Sequence, residues 1–301
     1  MPADLDRRLL HHLSGSGLFD RPGLALLAVS GGVDSVALLD LMFCVAEELG
    51  LNLAVAHIVH GISQEAAEAA PEVQKLAHSY RCPFYVEELE LGEQATETAA
   101  REGRYRALRA IQQAVGARYL VTAHHFDDQV ETVLYRFLRG SGMAGLAGIP
   151  AKGPDGLVRP LLPFEREELK RWLSSRFHNP ATRPAIFDDP ANADSRHDRS
   201  WVRHHLIPFL RRRFGAEFDR RVEEVANHAS DDRAAWNSLL RELPDLNLRQ
   251  EAGTIQVARA PFQRYDKLLS QAVLRAIARE IGCRLGRTHS ELLYEFIRGS
   301  S

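Results

Sequence analysis

The sequence predicts an α/β fold: a doubly wound, mostly parallel sheet with helices on both faces, followed by a smaller, mainly helical C-terminal domain. Two observations support this prediction. Short apolar runs alternate with longer segments whose apolar residues recur at helical spacing, which is typical of repeated strand–helix–strand units. The alternation ends near Gly215, and we therefore expect domains at residues 1–214 and 215–301.

Five apolar runs have the length and composition of buried strands, and each is followed by a helical pattern. The expected strands are 24–29, 51–59, 83–91, 118–125 and 156–162. The helices that follow them are expected at 34–49, 64–80, 96–115, 127–140 and 165–177. Because ligands of such sheets bind beyond the carboxyl ends of the strands, polar residues at those ends are the candidates for a site.

Two further segments follow the predicted sheet. Residues 178–197 form a long irregular stretch with three prolines, and an arginine-rich helix is expected over 198–213. Beyond it the pattern is helical, with one short strand-like piece at 253–258. Loops as long as the irregular stretch are usually functional or disordered.

Composition and charge exclude several classes of protein. The net charge of −2 gives no general attraction for nucleic acid, so any basic surface must be local. The three cysteines are far apart and form no CxxC pair, which excludes a zinc ribbon or a disulfide framework. There is no apolar run of 18 residues and no signal peptide. We expect a cytoplasmic protein with no membrane partner, and the oligomeric state stays open, a homodimer included.

The string SGGVDS lies between the first strand and its helix. Small residues at a helix N-terminus let backbone N–H groups bind phosphate, and serine hydroxyls add donors. Asp34 can hold a magnesium ion that bridges phosphates. A tight turn with a serine helix cap is the weaker interpretation of the full string. The expected phosphate-binding residues are Ser30, Gly31, Gly32, Val33, Asp34 and Ser35.

Charged residues stand at the other strand ends. Asp128 and Glu131 are three apart and share one helix face; by position alone, a functional pair and two acids favoured by the helix dipole are equally good interpretations. Two histidine pairs also stand there, and either member of each pair could line the site. These histidines are His57, His60, His124 and His125.

Arginines are the other candidates. Arg101 lies on a predicted helix, and a solvated face is the alternative to phosphate contact. Residues 196–221 hold eight arginines against three acids, and the same alternative applies to them. We favour phosphate contact for this patch, because the long irregular stretch leads it toward the strand ends.

The string SGGVDS resembles the PP-loop of the N-type ATP pyrophosphatases, which have an adenine nucleotide alpha-hydrolase-like fold and activate a carbonyl oxygen as its adenylate. Four further stretches resemble the family of tRNA(Ile)-lysidine synthases. They are AHIVHGIS (56–63), AREGRYRAL (100–108), TAHHFDDQVETVLYRFLRGSGMAGLAGI (122–149) and DDPANADSRHDRSWVRHHLIPFL (188–210).

The resemblance implies a reaction in which ATP adenylates O2 of the wobble cytidine in the CAU anticodon of tRNA(Ile), and free L-lysine then displaces AMP. The implied cofactors are ATP and magnesium, with magnesium on Asp34. The implied catalytic residues are Asp34, Arg101, Asp128, Glu131, Arg199 and Arg203; His57 and His124 join the SGGVDS residues at ATP, Asp128 and Glu131 bind lysine, and Arg211, Arg212 and Arg213 bind tRNA. A tRNA thiolation enzyme and a non-catalytic nucleotide-binding module are the alternatives.

Overall fold

The structure, a computed structural model, describes residues 4–59, 64–89, 97–178, 184–187, 198–251, 254–283 and 285–299. His60 and most of the stretch 178–197 lie outside the described residues. The chain divides into two compact units, one of residues 1–135 and 148–222, the other of 136–147 and 223–301. The division into domains at 1–214 and 215–301 stays a prediction.

A five-stranded parallel sheet forms the centre of the first unit, and all five predicted strands are confirmed. The strands are β1 (Gly23–Ala28), β2 (Leu51–Val59), β3 (Phe84–Glu88), β4 (Tyr119–Val121) and β5 (Leu157–Val158). Their order is β3-β2-β1-β4-β5, and every pairing is parallel. The chain therefore changes direction along the sheet between β1 and β4, and such a switch point is where this fold class binds ligands.

Two strands are shorter than expected. The apolar pattern extends β4 to residue 125 and β5 to residue 162, but the ladder between them ends one hydrogen bond beyond Val121, where Thr122 N–H donates to the Val158 carbonyl. Pro160 has no N–H to continue the ladder. The residues that follow are consequently released from the sheet and line its carboxyl edge.

Helices cover both faces of the sheet. In the first unit they are α1 (Leu5–Ser16), α2 (Val33–Val45), α3 (Gln64–Ser79), α4 (Glu97–Ala114), α5 (Phe126–Leu138), α7 (Arg166–Arg176), α8 (Asp198–Trp201) and α9 (Ile207–Phe214), with a π-helical turn at Val202–Leu206 between the last two. Two helices, α5 and α10 (Phe218–Arg241), begin in the first unit and end in the second. Helix α1 precedes the predicted alternation, although Leu5, Leu9 and Leu13 mark its buried stripe.

The core shows why the sheet is covered on both faces. Along β1, Ala25 and Leu27 belong to one buried cluster and Leu26 to another, because successive side chains of a strand point to opposite faces. Helices α1, α2 and α7 supply the first cluster, and α4 supplies the second through Leu108 and Ile111. The strand ends at the carboxyl edge are thereby held on a rigid base.

A buried carboxylate fixes α2 to its neighbours. Asp40 is almost completely buried and accepts hydrogen bonds from the Tyr80 hydroxyl (2.6 Å) and the Trp172 indole N–H (2.6 Å). The Arg176 guanidinium lies 3.2 Å from the same carboxylate. Tyr80 follows α3 and the other two partners belong to α7, so this one charge joins α2 to α7 and to the residue that follows α3.

The second unit is mainly helical, as predicted. It contains α6 (Met143–Leu146), most of α10, α11 (Ala260–Arg264), α12 (Lys267–Glu280) and α13 (Arg287–Gly299), with a small antiparallel pair β6 (Arg249–Glu251) and β7 (Thr254–Gln256). Its core is built around the fully buried Phe262. No helix in the described part of either unit is sufficiently long and apolar to span a bilayer.

Candidate active site

The glycine loop, residues Ser30–Ser35, joins β1 to α2 at the switch point. Gly31 has a φ of +89°, and a Cβ there would lie 3.3 Å from both Ala69 and Phe187, so only glycine fits this position. The Ser35 hydroxyl donates to the Gly32 carbonyl (2.8 Å) and accepts from the Ser30 backbone N–H (3.1 Å). These bonds hold the loop in the open curve that a phosphate-binding helix N-terminus requires.

Part of the irregular stretch contacts this loop. The Phe187 backbone N–H donates to the Gly31 carbonyl (3.1 Å), and its ring packs on the glycine. The described residues 184–187 therefore lie against the predicted phosphate-binding loop. This contact supports a functional interpretation of the stretch.

His125 links the glycine loop to the acids of α5. The buried imidazole Nε2 lies 3.6 Å from Asp34 and 3.4 Å from Asp128, and Nδ1 lies 3.7 Å from Asp127. Burial alone would lower the pKa of His125, but the three carboxylates raise it above its ordinary value. His125 therefore lies between Asp34 on one side and the start of α5 on the other, where the neighbouring carboxylates favour the charged form of the imidazole.

The pKa values of the acids around His125 are shifted in different directions. Burial raises the pKa of Asp34, but the hydrogen bond and charge of His125 and the nearby Arg166 guanidinium (3.2 Å) bring it below its ordinary value. Burial dominates at Asp128 and raises its pKa, despite the opposing charges of His125 and Arg203. Asp128 is thus the acid of this group whose pKa is raised, whereas those of Asp34 and Asp127 are lowered.

Asp128 and Glu131 lie on the same face of α5, as predicted, and both are paired with arginines. Glu131 is 1% exposed, and its two oxygens accept from Arg199 and Arg203. Arg203 also donates to Asp128 (3.2 Å), and Arg199 donates to the Thr132 hydroxyl (3.3 Å). The structure thus brings four of the predicted catalytic residues into one ion-pair cluster.

His124 lies beside a basic region. Its Nδ1 is 3.0 Å from the Thr122 hydroxyl. Burial lowers the pKa of His124 well below its ordinary value, and the surrounding arginines lower it further. These arginines are Arg159, Arg101, Arg104 and Arg199. A neutral imidazole among four cations marks a place where an anion is electrostatically favoured.

Two other predicted residues have simpler surroundings. His57 is buried on β2; its Nδ1 is 2.8 Å from the Val29 carbonyl, and its Nε2 has no hydrogen-bond partner among the described residues. Arg101 is exposed on α4, with its guanidinium over the ring of Tyr105 (5.6 Å to the centroid). Neither residue is part of the ion-pair cluster.

The three arginines predicted to bind tRNA differ from one another. Arg211 donates to Asp127 and to Asp219, both at 2.8 Å, so its charge is paired inside the unit. Arg212 and Arg213 are exposed on α9. Of the three consecutive arginines, Arg211 therefore pairs with acids of the same unit, whereas the side chains of Arg212 and Arg213 are exposed to solvent.

Sequence reasoning missed several residues of the site. The sequence makes His124 and His125 equal candidates, and alternation along the chain cannot tell which of the two contacts the acids. Arg166 and Arg159 were not considered. Arg159 follows β5 and is 6% exposed, and its Nε has no hydrogen-bond partner in the part of the chain that the structure describes; its position after a strand end is the signal in the sequence.

The donors among the described residues can be compared with the ways in which proteins bind magnesium. Within the described ranges, no group of three His, Cys, Asp or Glu side chains can hold a metal ion. Magnesium is commonly bound by one or two carboxylates together with substrate phosphates and water. Asp34, in the first turn of α2 beside the glycine loop, fits that mode.

Comparison with known proteins gives one family and many relatives. Residues 4–210 match the PP-loop domain family. The chain is 40% identical over 223 residues to a tRNA(Ile)-lysidine synthase of Alkalilimnicola ehrlichii, covering 72% of this chain and 47% of that protein. It is 30% identical to a tRNA(Ile)-lysidine synthase of Nostoc sp., covering 88% of this chain and 80% of that protein. The chain spans about half to three fifths of the length of the first four such relatives.

A solved structure supports the fold. A U34-tRNA thiolase from Methanococcus maripaludis, NcsA with its 4Fe-4S cluster, matches with a TM-score of 0.59 at 13% identity, covering 75% of this chain and 79% of the other. At this identity the likeness extends to the fold alone. It confirms the predicted doubly wound, adenine nucleotide alpha-hydrolase-like architecture.

Proposed function

The chain belongs to the PP-loop family and, within it, to the tRNA(Ile)-lysidine synthases, and from this premise we propose that it joins free lysine to C2 of the wobble cytidine in the CAU anticodon of tRNA(Ile), using ATP. One observation supports the proposal most directly. A phosphate-type glycine loop and a pair of acids suited to an amine lie on the two sides of His125, at one edge of the sheet.

In the first half-reaction the cytosine O2 attacks the α-phosphorus of ATP, and pyrophosphate leaves. The backbone N–H groups at Gly31–Val33 and the hydroxyls of Ser30 and Ser35 would hold the phosphates. Magnesium held by Asp34 would offset phosphate charge. The cations around His124, Arg159 and Arg199 among them, favour the negative charge that grows on the α-phosphate.

In the second half-reaction the ε-amine of lysine attacks C2, and AMP leaves. Free lysine carries a proton with a pKa near ~10.4, which must be lost before attack. Asp128, whose pKa is raised by burial, would accept it, while Glu131 would attract the ammonium group.

Both acids are held by arginines in the structure, so lysine needs an exchange of partners. Arg203 bonds to both carboxylates, and Arg199 to Glu131 alone. We propose that Arg199 and Arg203 leave the two carboxylates and pair with the phosphate oxygens of the nucleotide while ATP adenylates the base. The released carboxylates then bind the lysine ammonium, which gives the order of the two half-reactions a physical cause.

The test is incubation of the protein with ATP, magnesium, labelled lysine and a tRNA(Ile) transcript with a CAU anticodon. We expect label in the tRNA and one pyrophosphate per lysine. Asp128→Asn should release pyrophosphate but transfer little lysine, whereas Phe43→Ala, an exposed residue on α2 away from the site, should match the wild type. Absence of label with the wild-type protein would refute the proposal.

The same experiment separates the alternatives. Sulfur transfer in place of lysine would indicate a thiolation enzyme, although Cys44, Cys82 and Cys283 are unpaired and lie in different parts of the fold. ATP binding without pyrophosphate release would indicate a non-catalytic module.

A further inference from the structure

The helical segment 198–214 has two faces of different character. Its inner face carries Arg199, Arg203 and Arg211, and all three donate to acids at the sheet edge: Asp127, Asp128 and Glu131. The π-helical turn Val202–Leu206 interrupts the segment; it contains Arg203 and separates Arg199 from Arg211. Such turns are rare and occur frequently at functional sites.

The opposite side, which we term the outer face, consists of Trp201, His205, Phe209, Arg212 and Arg213. All five side chains are exposed; the first four recur every third or fourth residue, as one face of a helix requires, and Arg213 directly follows Arg212. Trp201 is 46% exposed and Phe209 56% exposed. Trp201 and His205 stack in nearly parallel planes, 6° apart, with ring centroids separated by 6.0 Å.

The charge of the outer face defines the partner that it suits. The outer face carries two arginines, Arg212 and Arg213, and no acid, in a chain whose net charge is −2. A partner must therefore carry negative charge and also offer flat, weakly polar groups to the aromatic rings. Single-stranded RNA has both, since its phosphates pair with arginine and its unstacked bases stack on Trp and His.

The short distance between the outer face and the site acids on the inner side of the helix favours RNA over other anionic partners. The helix is about 10–12 Å across with its side chains, so a strand lying on the outer face is within one helix diameter of the site acids. An RNA loop can thus lie on the platform while one of its bases enters the site. An anionic bilayer is a flat surface and has no base to deliver there.

We propose that the outer face is a stacking platform for the nucleotides that flank the modified base in a single-stranded RNA loop. Trp201 and His205 would bind bases, and Arg212 and Arg213 the adjoining phosphates. This inference rests on the proposed function, because it assumes that the substrate base lies in RNA.

The test measures the RNA affinity of the 301-residue chain, with an RNA stem-loop that carries a CAU loop. Binding is followed by quenching of indole fluorescence and, independently, by filter retention. Stacking is worth about 1–3 kcal/mol per base, so Trp201→Ala should weaken binding by about 5-fold to 150-fold. Trp201→Phe, which keeps a ring, should recover most of the affinity.

Two controls isolate stacking from charge and from misfolding. Phe43→Ala removes an aromatic ring of matched exposure, 47%, from α2, and should bind RNA as the wild type does. Inorganic polyphosphate, an anion without bases, should bind Trp201→Ala and wild type equally. Loss of polyphosphate binding in Trp201→Ala, or RNA affinity equal to that of Phe43→Ala, would overturn the platform.

The remaining outcomes distinguish this inference from the proposed function. Lysine incorporation by the wild type with an unchanged KM for RNA in Trp201→Ala would refute the platform alone. Absence of lysine incorporation by the wild type would refute the proposed function. Quenching of Trp201 by phosphatidylserine vesicles as strong as that by RNA would assign the outer face to a membrane and overturn the proposal.

Discussion

Replacing Glu131 by glutamine removes one negative charge from the most buried carboxylate of the site while keeping the size of the side chain. In the wild type, Glu131 accepts one charged hydrogen bond from Arg199 and one from Arg203. After the change, the neutral amide can accept a hydrogen bond from one arginine through its oxygen, but its N–H₂ group faces the other arginine and cannot accept from it. The two arginines lose their common anchor on α5.

The magnitude follows from the burial of the three groups. Removing one member of a fully buried ion pair costs about 3–5 kcal/mol. Here the side chains of Arg199 and Arg203 are 28% and 35% exposed, so water solvates their charges in part and reduces the cost of losing the carboxylate. We therefore expect a loss of about 2–3 kcal/mol in the free energy of unfolding, near the sum of two weakened charge-assisted bonds.

The assay is urea denaturation followed by tryptophan fluorescence; Trp172 and Trp201 report the first unit, and Trp236 reports the second. Glu47→Gln, the same chemical change at an exposed position after α2, is the matched control and should alter stability by less than about 0.5 kcal/mol. If Glu131→Gln is as stable as this control, the ion-pair cluster does not hold α8 and α5 together. The variant should also slow pyrophosphate release, because Arg199 and Arg203 lose their positions.

Three further predictions concern other parts of the first unit. Asp34→Asn should abolish tRNA-dependent pyrophosphate release while circular dichroism stays that of the wild type; adenylation at the normal rate would remove Asp34 from the phosphate site. Arg212→Gln with Arg213→Gln should lower the slope of log affinity for tRNA against log salt by up to about 1.4–1.8, since each lost phosphate contact removes about 0.7–0.9, and an unchanged slope would place the RNA contacts elsewhere. Burial raises the pKa of Asp127, but a hydrogen bond from the Arg166 backbone N–H (2.9 Å) and a charged bond from Arg211 outweigh it and lower the pKa. The ionised carboxylate therefore stabilises the fold at pH values above the unfolded pKa of 3.8, and this stabilisation is lost as the pH falls through the folded pKa. The stability difference between wild type and Asp127→Asn, measured by urea denaturation, should accordingly shrink between pH 6 and pH 3, and a difference that grows would contradict the ion pair.

The sheet and the residues near its edge could be predicted from the sequence because they depend on local patterns. Apolar runs define β1 to β5, and the spacing of Asp128 and Glu131 defines their common face on α5. The ends of β4 and β5 could not be predicted in this way. An apolar run does not reveal where the neighbouring strand stops, and here Pro160 ends the pairing.

Partners that are distant along the chain could not be predicted either. Arg166 bonds to Asp34 across 132 residues, and Arg211 bonds to Asp127 across 84. In the sequence both arginines look like any solvated cation, and Arg211 looks the same as Arg212. The choice between His124 and His125 likewise depends on which one faces the three carboxylates, and that is a property of the assembled site.

The distance between Glu131 and its arginines also bears on how the chain folds as it is synthesised. Arg199 and Arg203 follow Glu131 by 68 and 72 residues, and so they leave the ribosome well after α5. In a nascent chain that ends before residue 199, α5 would have to bury a carboxylate without either cation, which is unfavourable. Limited proteolysis of such stalled chains should cut α5 more readily than in the finished protein. The order of synthesis therefore delays the closing of the acid side of the site until the arginine helix emerges, long after the glycine loop and the first three strands are complete.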